Sequence, residues 1–133
     1  MNMQKKTILC VDDDKDDLFM LRDALHEIGG TYEIVEASDG IEALDILQQM
    51  KAANNLPCLV VMDINMPRMD GKQTLVALQK DEQLASLPVV VFTTSSSMLD
   101  KTFCAAKKVD MITKPFDYAT LFEVAQRLLQ YCN

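Results

Sequence analysis

Apolar residues along this chain fall into two alternating patterns, short unbroken runs and longer stretches at helical spacing. Thr7 to Val11 is a run, stopped abruptly by Asp12-Asp13-Asp14. Leu18, Leu21, Leu25 and Ile28 then recur as one face of a helix, which Gly29-Gly30 ends because glycine suits the left-handed position past a helix terminus. Tyr32 to Glu36 predicts a second strand. Ser38 or Asp39 caps a helix carrying Ala43, Leu44 and Leu47, and 52–57 reads as a loop. Cys58 to Met62 is a continuous apolar run ending at Asp63, as suits a central parallel strand covered on both faces. A proline-containing loop over 65–71 leads to a short helix over 72–80. Val89 to Phe92 is another buried strand, ending at Thr93-Thr94-Ser95-Ser96-Ser97. Leu99, Phe103 and Ala106 mark a fourth helix, Val109 to Ile112 a last strand, and Leu121, Val124, Ala125 and Leu128 a final helix.

Five strand–helix units in strict alternation imply a parallel sheet with helices on both faces, limited by right-handed crossovers to a few doubly wound orders. Ligands of such sheets bind at the carboxyl ends of the strands. The residues following the buried strands are Asp12-Asp13, Asp63, Thr93 and Lys114. Parallel strands bring them to one edge as three carboxylates, a hydroxyl and an ammonium. Carboxylates so close repel one another. Lys114 offsets part of that charge, and a divalent cation would offset more. Oxygen donors without His or Cys favour Mg²⁺, with Mn²⁺ as substitute, over zinc. A metal, a lysine and a hydroxyl around a carboxylate suit phosphoryl transfer, which needs an in-line nucleophile and neutralised oxygens. Asp63, central among them, is the candidate nucleophile, giving an acyl phosphate.

Composition narrows the picture. At 133 residues the chain fits one domain, without linker or repeat. A net charge of −7 argues against direct binding to nucleic acid or an anionic membrane. No apolar run spans a bilayer, and the polar start at 1–6 carries no secretory signal. The cysteines, Cys10, Cys58, Cys104 and Cys132, are scattered without CxxC spacing. They argue against zinc and a disulfide framework, and read as free thiols in a reducing cytoplasm, with reactivity at Cys132 left open.

Four segments together carry a family resemblance: Val11-Asp12-Asp13, the run from Met62-Asp63 through Met66-Pro67 to Asp70-Gly71, Phe92-Thr93-Thr94, and Lys114-Pro115-Phe116. Over nearly its whole length the chain resembles a response regulator receiver domain of two-component signalling. The resemblance implies a flavodoxin-like (βα)5 three-layer α/β sandwich with strand order 2-1-3-4-5. It implies that Asp13 and Asp63 bind the metal directly, Asp12 through water and Asn65 through its backbone carbonyl. Lys114 would hold a phosphoryl oxygen, and Thr93 would move to report it. Asn65 and Ser95 would tune hydrolysis, and the Lys114–Pro115 bond would be cis. The Asp-Asp-Asp-x-x-Asp opening and the Thr-Thr-Ser-Ser run, including Thr94, look like small stand-alone regulators paired with phytochrome-type histidine kinases. Two positions depart from the family pattern. Met111 stands where an aromatic residue commonly swings with the threonine, and Lys107-Lys108 replace the usual Gly-Ala.

The implied function is a cytoplasmic, stand-alone switch over 1–133 with no output domain. It takes phosphoryl from a sensor histidine kinase or phosphotransfer protein and acts on a downstream protein or a second copy of itself. A rival is an interaction module of the same fold that works without phosphorylation. An aspartate-nucleophile phosphatase would need a second acid where Asn65 stands. A flavin protein would need a phosphate loop where the aspartates stand. Asp14, Asp16 and Asp17 read as first-turn residues favoured by the helix dipole, His26 as a surface residue, the serine run as loop and helix cap, and Arg68 and Lys72 as solvated charges.

Overall fold

The computed structural model describes residues 5–132; the polar start at 1–4 lies outside the described residues. The elements are β1 (Lys6–Val11), α1 (Lys15–Ile28), β2 (Tyr32–Ala37), α2 (Gly40–Ala52), β3 (Leu59–Met62), α3 (Gly71–Lys80), β4 (Val89–Thr93), α4 (Met98–Ala106), β5 (Asp110–Thr113) and α5 (Tyr118–Gln130). All strands pair in parallel, in the order β2-β1-β3-β4-β5. The alternation expected from sequence is therefore the observed fold, a flavodoxin-like α/β sandwich.

Strand side chains alternate between the sheet's two faces. Ile8, Cys10, Leu59, Val61, Val90, Phe92 and Ile112 pack against α1 and α5. Leu9, Val11, Val60 and Met62 face the other way, against α2 and α3. Two-sided burial explains why the central strands read as unbroken apolar runs. The helices start on polar caps that accept backbone N–H bonds: Asp14, Asp39, Asp70, Ser97 and Asp117. Asp70 and Gln73 complete a capping box, anchoring α3 just past the loop that follows Asp63.

Three expectations are corrected. Cys58 and Cys132 form a disulfide, with Cα atoms 5.0 Å apart across 74 residues of sequence. Their distance along the chain hid what the fold does, since the start of β3 and the end of α5 meet at the amino edge of the sheet. Cys10 and Cys104 are free and buried, as expected. Cysteine usage thus no longer argues for a reducing compartment. The Lys114–Pro115 bond is trans, as are the other peptide bonds of the described residues; a prolyl amide favours trans by about 0.5–1 kcal/mol unless packing holds cis. Leu99, read as part of the fourth helix's apolar stripe, is 78% exposed, and Cys104 is the buried residue of α4. No helix among the described residues is long and apolar enough to cross a membrane.

Candidate functional site

Asp12, Asp63 and Lys114 are carried to the sheet's carboxyl edge by strand-end hydrogen bonds. The Asp12 amide donates to the carbonyl of Ala37 at 3.0 Å, and the Asp63 amide to that of Val11 at 3.0 Å. The Lys114 amide donates to the carbonyl of Thr93 at 2.9 Å. These bonds run between neighbouring strands, so the sheet itself sets the spacing of the side chains.

The Lys114 ammonium is the hub. It donates to Asp12 Oδ2 at 2.6 Å, Asp17 Oδ2 at 2.7 Å and Asp63 Oδ2 at 2.8 Å. Asp12, Asp63 and Lys114 are all buried. Burial pulls the ammonium toward neutrality, but its bonds to Asp12, Asp17 and Asp63 outweigh that, and its pKa is raised. Burial also raises the Asp12 carboxyl above the ordinary range; Lys114 draws it back only in part, and the neighbouring Asp63 pushes it up further. The pocket therefore holds more negative charge than one lysine balances. Beside it the Cys10 thiol, pushed up to about 12 by burial and then by Glu36 and Asp12, is an inert core group.

The loop after β3 holds Asp63 from behind. Asp63 Oδ1 accepts from the Ile64 amide at 2.7 Å, and the Gly71 amide donates to the Ile64 carbonyl at 2.7 Å. A Cβ on Gly71 would lie 2.3 Å from the Asp63 carbonyl oxygen, so only glycine lets α3 start there. Arg68, in the left-handed region at φ 63°, donates to the buried Asp39 at 2.6 Å and ties this loop to the cap of α2. That bond holds Asp39 below the usual carboxylate range. Lys72 pairs with Asp100 at 2.6 Å. Arg68 and Lys72 are thus structural ties within the chain.

Thr93 ends β4 fully buried, and its hydroxyl oxygen accepts from the Ser95 amide at 3.2 Å. Ser95 in turn donates to Asp100, the partner of Lys72, so a polar chain runs from Thr93 to α3 and α4. Thr94 is exposed in the same loop. Met111 points inward, packing on Ile64, Val91 and Cys104. Of the replaced pair, Lys108 takes the left-handed conformation at φ 60°, which glycine adopts more cheaply.

The structure joins Asp12, Asp63 and Lys114 directly, with Thr93 on the neighbouring strand end. Asp13 and Asn65 are exposed at the ends of the same strands. Asp14 is the α1 cap and Asp16 lies in its first turn, as the dipole reading expects. Asp17 shares that turn but also bonds Lys114, a contact the sequence does not reveal. No spacing in the sequence marks it, because the contact depends on how α1 leaves β1.

The donor set consists of hard oxygens. Among the described residues no group of three His, Cys, Asp or Glu side chains is arranged to hold a metal ion. Magnesium needs only one or two carboxylates and keeps several waters. The excess of carboxylate over ammonium among these hard oxygens fits a divalent cation.

The response regulator receiver domain family matches residues 8–126. The chain belongs to that family. Receivers partner with histidine kinases, bind a divalent metal and are not conventional enzymes. Response regulator Rcp1 of Synechocystis sp. is 32% identical to this receiver over 124 residues, covering 91% of this chain and 84% of that protein. The crystal structure of the phosphorylated cyanobacterial phytochrome response regulator RcpA superposes with a TM-score of 0.87 at 30% identity, covering 96% of this receiver and 94% of that chain. The Mn²⁺-bound form of Rcp1 superposes with a TM-score of 0.82 at 30% identity, covering 94% and 92%.

Proposed function

We propose that this receiver is a phospho-accepting switch in which Asp63 takes a phosphoryl group from a sensor histidine kinase or a phosphotransfer protein. The observation that carries the reading is the buried Lys114 ammonium bonded at once to Asp12 and Asp63 at the strand ends. A carboxylate oxygen of Asp63 attacks phosphorus. The phosphorus–nitrogen bond of the donor phosphohistidine breaks, and the imidazole leaves with the electron pair. Lys114 neutralises a phosphoryl oxygen. Mg²⁺, or Mn²⁺, held by Asp12, Asp13, Asp63 and the Asn65 carbonyl would supply the further positive charge such a transfer needs. Phosphorylated RcpA and Mn²⁺-bound Rcp1 support both halves of this reading.

The new group adds a charge of about −1.5 to −2 near neutral pH. The Thr93 hydroxyl turns toward it, releasing Ser95 and the polar chain to Asp100 and Lys72. Ser95 and Asn65 tune how fast water removes the group. Met111, packed inward and flexible, follows Thr93 in place of an aromatic residue. The output is a protein contact through α4, β5 and α5, where Met98, Leu99, Phe116 and Tyr118 are exposed; it reaches a downstream protein or a second copy of the chain. A cytoplasmic receiver, pairing with a phytochrome-type kinase, completes the proposal.

Incubating the protein with acetyl phosphate and Mg²⁺ and weighing it intact tests the reading. Wild type should gain the mass of one phosphoryl group, and Asp63→Asn none. A wild type that stays unmodified, yet binds partners unchanged, would favour the phosphorylation-independent module instead.

A further inference from the structure

A lysine ammonium has three N–H donors and no acceptor. In this site all three are committed, to Asp12, Asp17 and Asp63. A phosphoryl oxygen can bond to Lys114 only if one of those bonds is given up. The three are not equivalent. The Asp12 and Asp63 side chains are 9% and 11% exposed, whereas that of Asp17 is 37% exposed, in the first turn of α1. A carboxylate let go into water regains its hydration, and a buried one does not. Asp17 is therefore the partner that costs least to release.

We infer that Asp17 is a positioning residue that occupies the Lys114 N–H needed by the incoming phosphoryl group, and so sets how readily Asp63 accepts a donor. The inference rests on Asp63 being the phosphoacceptor. Charge acts in the same direction, since a third carboxylate on Lys114 repels an approaching phosphoryl dianion. With acetyl phosphate as donor, a new oxygen–phosphorus bond forms on Asp63, the phosphorus–oxygen bond to acetate breaks, and acetate leaves with the electron pair. Lys114 passes one hydrogen bond from Asp17 to a phosphoryl oxygen, and no proton changes hands.

The competing account is that Asp17 is only a helix-dipole charge. Asp16 separates the two, because it sits in the same turn, is exposed, and its side chain makes no bond to Lys114. The full chain is incubated with acetyl phosphate and Mg²⁺ over a range of donor concentrations, quenched at intervals and weighed intact. Asp17→Ala should raise the second-order rate constant of phosphorylation about tenfold, the factor expected from one neighbouring charge and one freed donor. Asp17→Glu should restore the wild-type rate, and Asp16→Ala should stay within about twofold of it. All three should unfold cooperatively with midpoints well above the assay temperature, which separates this from a loss of fold. An Asp17→Ala rate equal to or below wild type, or an equal acceleration by Asp16→Ala, overturns the role of Asp17 alone. A wild type that takes up no phosphoryl group overturns the phosphoacceptor reading and this inference with it.

Discussion

Lys114 is one cation among three bonded carboxylates, and two of those carboxylates are buried with it. Removing it leaves charges that repel one another with no solvent to screen them. Lys114→Met should therefore lose about 3 kcal/mol of stability, the cost typical of breaking a buried pair from one side. Added Mg²⁺ should restore more stability to the variant than to wild type, because it takes over the missing charge. Urea unfolding with and without Mg²⁺ measures both effects, and an unchanged midpoint would remove the electrostatic account of the site. Most of this cluster was legible residue by residue, since Asp12, Asp63, Thr93 and Lys114 each follow an apolar run. Asp17 was not. Its contact depends on the direction in which α1 leaves β1, which no local pattern records.

At the scale of elements, caps and apolar runs placed every helix and strand to within a few residues. Helix α4 is the exception in packing. Its apolar positions carry Met98 and Leu99 into solvent, with Cys104 as its buried residue. An element with so little buried area opens at low cost, as suits a segment proposed to move with Thr93. Elsewhere ion pairs tie elements together. Asp81, just past α3, is bonded by Lys51 at the end of α2 at 2.8 Å and by Gln48 at 3.2 Å. Lys51, then Gln48, lowers its pKa to about 2. A folded pKa below the unfolded one gives stability that is present above about pH 4 and lost as pH falls through about 2. Asp81→Asn should flatten the stability–pH curve in that window and leave its shape at neutral pH unchanged. Denaturant midpoints taken between pH 2 and 5 would show it, and parallel curves for the two proteins would refute it.

For the whole molecule, the Cys58–Cys132 bridge closes a loop of 74 residues between the start of β3 and the end of α5. Chain entropy alone assigns such a loop about 4.5 kcal/mol, and removing a native bridge generally costs about 2–5 kcal/mol. Reduction, or Cys58→Ser with Cys132→Ser, should lower stability by that amount while leaving phosphorylation by acetyl phosphate intact, because the bridge lies at the sheet edge opposite Asp63. Non-reducing peptide mapping together with thermal unfolding in and out of reductant checks both parts. A bridge that proved absent, or activity lost on reduction, would contradict that separation of ends.

By itself the sequence determined the fold class and which residues stand at the strand ends. Apolar periodicity is a local property, and a parallel sheet sends every strand's carboxyl end to one edge. Four motifs in order were therefore enough to name the residues that would meet there. Only the tertiary structure decided the rest: the cysteine pairing, the trans bond before Pro115, the exposure of Leu99 and the third carboxylate on Lys114. Each depends on how distant segments approach one another in space, and neither spacing nor composition encodes that approach.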